Sequence, residues 1–119
     1  MEKVLFVEYP KCGTCRKAKK WLEENKVSFD DRHIVEQTPT KEELKSWITT
    51  SGLPINKFFN TSGMVYRELQ LKDKLGTMTD DEKLNLLASN GMVIKRPILV
   101  TANRVLVGFK EADWVELFK

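Results

Sequence analysis

The chain carries two cysteines, Cys12 and Cys15, inside the stretch YPKCGTCRKAKKWL that runs from Tyr9 to Leu22. Two thiols at this spacing can form a redox couple, supply half of a metal site, or fill space as small buried residues. The thiolate, not the thiol, is the nucleophile. Cys12 lies where a short apolar run gives way to a helical pattern. At a helix start, unpaired backbone N–H groups and the positive end of the dipole stabilise a thiolate. Lys11 and Arg16 add positive charge nearby. Thiols in such settings have pKa values of ~3.5–7.5, against ~8.5 for a free cysteine. Cys15 lies one helical turn on, where Cβ atoms are roughly 5–6 Å apart. A disulfide needs roughly 3.5–4.5 Å, and a first turn opened slightly at Gly13 closes that gap. Cys15 can then resolve a mixed disulfide or a sulfenic acid formed on Cys12.

The competing chemistry is thinner. Structural zinc wants four ligands, whereas the chain offers one cysteine pair and a lone His33, so no metal is expected. His33 falls in a strand-like segment and reads as a surface or packing residue. Two inert, buried cysteines remain an alternative reading of the pair itself.

The elements around the pair decide where it sits. Residues 3–8, KVLFVE, form a short apolar run rich in β-formers and predict a buried strand, ended by Tyr9-Pro10. From Gly13 to Asn25 the pattern turns helical, with Cys15, Ala18 and Leu22 on one face. Lys17, Lys20 and Glu24 point outward, and the lysine run is read as a solvated face. Val27 to Val35 predicts a second strand, parallel to the first in a βαβ unit. Thr40 to Glu43 and Thr79 to Glu82 have the form of capping boxes that open two helices, one ended by Gly52 and Pro54, the other by Gly91. Between them, residues 55–76 fit two short helices, with Phe58, Phe59, Tyr66, Leu69 and Leu71 partly buried. ILVT and RVLVGF then predict a hairpin, and KEADWVELFK a closing amphipathic helix.

This order predicts an α/β fold of thioredoxin-like (glutaredoxin-like) type. It has a mixed sheet of about four strands and a helical insertion over about 40–92, between βαβ and ββα halves. A chain of 119 residues suits one domain, spanning 1–119. Apolar content of 41% and charged content of 31% mark a globular protein. The net charge of +3 is spread among interleaved acids, which argues against a nucleic-acid partner. No apolar run approaches the ~18 residues of a membrane span, and the N-terminus lacks the form of a signal peptide. A cytoplasmic location is expected, where a close cysteine pair is more often catalytic or redox-sensing than a structural staple.

YPKCGTCRKAKKWL, TPTKEEL, KFFNTSG, YRELQLKDKL, LLASNGM and KRPILV together resemble the ArsC/Spx family over nearly the whole chain. That resemblance implies a thioredoxin-like core and two kinds of activity. Arsenate reductases of the family attack arsenate with the N-terminal cysteine, hold the oxyanion with arginines, and draw electrons from glutathione and glutaredoxin. Spx-type members use a CxxC disulfide switch and bind RNA polymerase. Cys12 matches the nucleophile, Arg96 one oxyanion-binding arginine, and Pro97 a proline that is usually cis. Asn60 stands where the reductases carry a second arginine, Gly108 where they carry a third, and Glu8 where they carry a histidine. Arginine suits an oxyanion through its planar fork and permanent charge, so these exchanges predict weakened arsenate binding. GLPINKFFNTSG departs from the surface expected of a polymerase-binding regulator.

The reading is therefore a thiol-dependent redox protein with Cys12 as nucleophile and Cys15 as resolving thiol. Gly13, Thr14, Arg16, Asn60, Arg96 and Pro97 are its candidate substrate-binding residues. The substrate is a small oxyanion or a disulfide. No bound cofactor is expected; glutathione with glutaredoxin, or thioredoxin, is the expected reductant. Arsenate reduction and polymerase-binding regulation are the alternatives. Arg96 also has a plainer reading as a cation on a solvent-facing strand. Asn60-Thr61-Ser62-Gly63 has one as an ordinary turn.

Overall fold

Along VLFVE, Val4, Phe6 and Glu8 face one way and Leu5 and Val7 the other, so the strand must be covered on both sides. The computed structural model describes residues 3–118 and shows how this is done. This strand, β1 (Val4–Glu8), leads into helix α1 (Gly13–Glu24) and strand β2 (Phe29–His33). The insertion follows as α2 (Lys41–Ser51), α3 (Met64–Glu68), α4 (Leu71–Lys74) and α5 (Asp80–Ser89), with 3-10 turns between them. Strands β3 (Ile98–Val100) and β4 (Val105–Val107) and helix α6 (Glu111–Leu117) close the chain. The sheet order is β2-β1-β3-β4, with β2 parallel to β1 and the other pairs antiparallel. The fold is a mixed four-stranded thioredoxin-like sheet with a helical insertion.

Each face of the sheet has its own core. Val4, Phe6 and Leu99 pack with Ala18 and Leu22 of α1 and with Trp114 of α6. Val7 and Ile98 pack with Leu44 and Trp47 of α2, Phe58 and Phe59, and Leu84 and Leu87 of α5. The insertion is thus the second layer of the fold, not an appendage. Both capping boxes form, with Thr40 and Glu43 at α2 and Thr79 and Glu82 at α5 exchanging the two bonds that define them. Glu43 does double duty: Arg32 of β2 forks its carboxylate at 2.7 and 2.9 Å and ties α2 to the sheet. That guanidinium pulls the Glu43 carboxyl down to about 2.

Three expectations need correction. The second strand is shorter than Val27–Val35. Val27 still bonds back to Leu22, and after His33 the chain turns because Val35 and Glu36 donate their N–H groups to His33 Nδ1. Residues 55–76 hold more than two helices: 3-10 turns at Ile55–Phe58 and Leu75–Thr77 flank α3 and α4. Leu69 lies on the solvent side, 39% exposed, while Phe58, Phe59 and Leu71 are buried. No helix among the described residues is long and apolar enough to cross a membrane. Lys119, which ends the stretch read as the last helix, lies outside the described residues.

Gly91 closes the insertion against the sheet. A Cβ there would sit 2.2 Å from the backbone oxygen of Ile34. A real Cβ cannot approach backbone so closely, so Gly91→Ala must push the 3-10 turn at Gly91–Val93 away from the sheet. The expected cost is about 2 kcal/mol or more, read from the urea unfolding midpoint.

Candidate active site

Cys12 is the N-cap residue of α1, with extended backbone (φ −84°, ψ 125°). Its sulfur is half-buried, while Cys15, on the inner face of the same first turn, is fully buried. Both thiols are free. Their environments drive them apart. Burial pushes the Cys12 thiol up, but the Cys15 N–H, the Cys15 thiol, the Arg96 charge and the Thr14 N–H together bring it below the ordinary cysteine value. Burial dominates at Cys15 and pushes it up to about 12, helped by the hydrogen bond to Cys12 and by the Cys12 charge, against the Tyr9 N–H and Arg96. One thiol is thus made easier to ionise and the other harder.

The charge that helps Cys12 is Arg96, on the segment before β3. Arg16, named from the sequence, acts differently. The Arg16 guanidinium is exposed and donates to the carbonyls of Pro10 and Lys11, both at 3.2 Å, so it shapes the cysteine loop from outside. Arg96 stands over the Tyr9 ring, with its guanidinium carbon 5.1 Å from the ring centre. Its Nε and Nη1 are buried and have no hydrogen-bond partner among the described residues. The Tyr9 ring is braced in turn by an edge-to-face contact with His33. His33 is therefore a packing residue, as its strand position suggested.

Cys12, Thr14, Asn60 and Arg96 line one cavity of about 620 Å³. The chain brings them together from α1, the insertion and the β3 approach. Asn60 is held by its N–H to the Val93 carbonyl at 2.7 Å and accepts from Ser62 Oγ at 3.3 Å. Gly108 lines the cavity as well, at φ +79°. That left-handed backbone disfavours any side chain, and a Cβ would meet the Lys95 side chain at 3.1 Å. Gly13 and Arg16 do not line the cavity, and neither does Pro97, whose peptide bond with Arg96 is cis. Reading the sequence missed Tyr9 as a platform, and missed Lys95 and Lys110, which keep the cavity wall cationic. The only signal was proximity, Lys95 beside Arg96 and Tyr9 beside Pro10.

Behind the pair lies a second ionisable cluster. Glu8 ends β1 on the α1 side and is 2% exposed. Lys19 of α1 reaches it at 3.8 Å and Asp31 of β2 at 2.8 Å. Burial first, then a shared hydrogen bond with Asp31 and its charge, push Glu8 up to about 7 against the pull of Lys19. Asp31 stays below the ordinary carboxyl value: the hydrogen bonds from Glu8 and Lys19 outweigh its own burial.

Residues 7–117 match the model of the ArsC family. The chain belongs to the ArsC family. It is 60% identical over 111 residues to the uncharacterised protein YusI of Bacillus subtilis, covering 93% of this chain and 94% of that one. The regulatory protein MgsR of the same organism is 32% identical over 99% of this chain and 92% of its own. Among solved structures, an ArsC-family-related protein from Bacteroides fragilis superposes with a TM-score of 0.94 at 58% identity, covering 98% of each chain.

Two outcomes follow for this ArsC-family site. Arg96→Met removes a side-chain cation that lowers the Cys12 thiol, so its pKa should rise. Thiolate ultraviolet absorbance against pH measures it. Glu8 gives a stability effect. Folded, it keeps its proton up to about pH 7, whereas an ordinary carboxyl titrates near 4.5. Between those values the folded state holds more protons, so stability is greatest below the window and falls as pH rises through it. Glu8→Gln should flatten this fall, which amounts to ~1–3 kcal/mol, in urea titrations across the window.

Proposed function

We propose that this chain is a thiol–disulfide oxidoreductase in which Cys12 attacks and Cys15 resolves. The observation that carries the reading is the opposed tuning of the two thiols, Cys12 down and Cys15 up to about 12. A nucleophile must be a thiolate before the reaction, and a resolving thiol must not compete with it.

The Cys12 thiolate attacks one sulfur of a substrate disulfide. A Cys12–substrate disulfide forms and the other substrate sulfur leaves as a thiolate. Cys15 then attacks the Cys12 sulfur as its proton passes to the departing substrate sulfur. This forms the Cys12–Cys15 disulfide and releases the second substrate thiol. Two electrons have passed from the protein dithiol to the substrate disulfide. A thiol donor of the glutathione, glutaredoxin or thioredoxin class returns the pair to the dithiol. Arg96 lowers the energy of negative charge on the Cys12 sulfur, and as part of the cavity lining it places positive charge beside an anionic substrate group.

Disulfide is favoured over arsenate because the cavity has room for an organic group and holds Asn60 and Gly108 where the reductase-like pattern would place arginines. The φ of +79° at Gly108 leaves no easy place for such a side chain. A second reading, a redox-responsive regulator, draws support from the 32% identity to MgsR. In it the same Cys12–Cys15 disulfide would alter binding to RNA polymerase rather than serve turnover.

The test uses glutathione disulfide as substrate, with thioredoxin, its reductase and NADPH returning the Cys12–Cys15 disulfide to the dithiol, and reads NADPH oxidation above a blank without the chain. The wild-type chain should turn over, Cys12→Ser should fall to the uncatalysed rate, and Cys15→Ser should accumulate a mixed disulfide visible in the intact mass. Arsenate should give no turnover above blank. A chain whose turnover survives Cys12→Ser would sink the mechanism.

A further inference from the structure

β4 is the last strand in the order β2-β1-β3-β4, and among the described residues only β3 pairs with it. Two bonds bracket the pairing: Gly108 N–H to the Pro97 carbonyl and Thr101 N–H to the Arg104 carbonyl, both 2.8 Å. Bonded pairs alternate along an antiparallel ladder. With Leu99 opposite Leu106, the backbone groups of Arg104, Leu106 and Gly108 turn toward β3. Those of Val105 and Val107 therefore turn outward; Val105 is 4% exposed and Val107 half-buried, so Val107 carries the accessible groups. An outward row of N–H and C=O groups is a template for another strand.

A groove of about 290 Å³ runs along this edge. Ser51 and Leu53 at the end of α2 line one side, and Trp114 of α6 lines the other. Those helices cover opposite faces of the sheet, so the groove lies over the strand edge itself. Its charge is one-sided. Lys57, Lys95, Arg104 and Lys110 line it against Asp113 alone. Among the described residues none of these four cations enters an ion pair. The Trp114 indole N–H, on a side chain fully buried against the groove, has no partner among the described residues either. Leu53, 40% exposed, adds an apolar contact. Lys95, Val107, Gly108 and Lys110 line both this groove and the Cys12 cavity, so the two are continuous.

We propose that the groove along β4 docks an extended, acidic polypeptide segment of a partner protein, which pairs with Val107 and runs toward the Cys12 cavity. An extended peptide supplies both the donors and the acceptors that the edge lacks, and its carboxylates meet the cations. A DNA backbone offers anions but no donors for the outward carbonyls, and the 2′-hydroxyls of RNA do not match the spacing of a strand edge. A second copy of this chain would bring two cationic edges together, which repels. The docking stands apart from the thiol chemistry; only the delivery of a sulfur to Cys12 rests on the oxidoreductase reading.

The experiment uses the whole chain, isotopically labelled, and a peptide of about ten residues alternating valine or threonine with glutamate. Its twin carries lysine in place of glutamate. The acidic peptide should shift the Val107 amide and slow its hydrogen exchange, and the peptide's affinity should fall with salt. Lys57→Glu combined with Arg104→Glu, both exposed positions, should weaken binding by about tenfold or more and leave turnover of glutathione disulfide unchanged. Four results would overturn the docking. They are no change at that amide, equal binding of the lysine twin, dimerisation of the chain through this edge, or an oligonucleotide that competes without protecting that amide. Turnover that persists without peptide binding removes the docking alone; peptide binding without turnover removes the redox reading alone.

Discussion

Two sulfurs one helical turn apart cannot both ionise, since the second charge would lie beside the first in a poorly solvated pocket. The fold decides which one does. Cys12 at the helix N-cap looks onto free N–H groups and Arg96, while Cys15 is sealed against the sheet and gives its hydrogen bond to Cys12. The bond between the thiols is thus both a consequence of the asymmetry and a contribution to it. The rest of the architecture keeps this arrangement fixed. β1 delivers the chain to the cysteine loop, Arg16 laces the loop from outside, and the Tyr9 ring supports the guanidinium that faces the sulfur.

The insertion gives the site its shape. A bare sheet with α1 and α6 would leave the β3 approach open to water. The helices on the far face bury Phe58, Phe59 and Leu87 against the sheet and carry Asn60 to the cavity rim. The Arg32–Glu43 fork and the two capping boxes lock the ends of these helices to named positions. An exposed pair adds little by itself. Here it is bidentate, and the same carboxylate closes the cap, so one side chain sets both where α2 starts and how it leans.

Much of this was legible in the sequence because local rules agreed with global packing. TKEE and TDDE announced two helix starts, and the βαβ and ββα halves announced the sheet. Segment 55–76 resisted because its helices are too short to show a period, and Leu69 faces solvent although its type suggested burial. His33 cut the second strand short by accepting two backbone N–H groups, a side-chain role that strand propensity does not encode. Within the site, the place of Cys12 at the helix start and the charge of Arg96 beside it were legible. The weakening of Arg16 as an active-site cation was not, because its bonds to the loop carbonyls depend on how the turn folds. Tyr9, Lys95 and Lys110 were missed for the same reason: their roles come from the approach of segments distant in sequence.

The central claim is that the fold makes two chemically different thiols from one short motif. Alkylation of each cysteine with iodoacetamide, followed by peptide mass spectrometry across a pH series, measures it most directly. Cys12 should react with a midpoint below the ~8.5 of a free cysteine, and Cys15 should stay unmodified well into alkaline pH. Matched reactivity of the two, or a Cys12 midpoint at the free-cysteine value, would contradict the account.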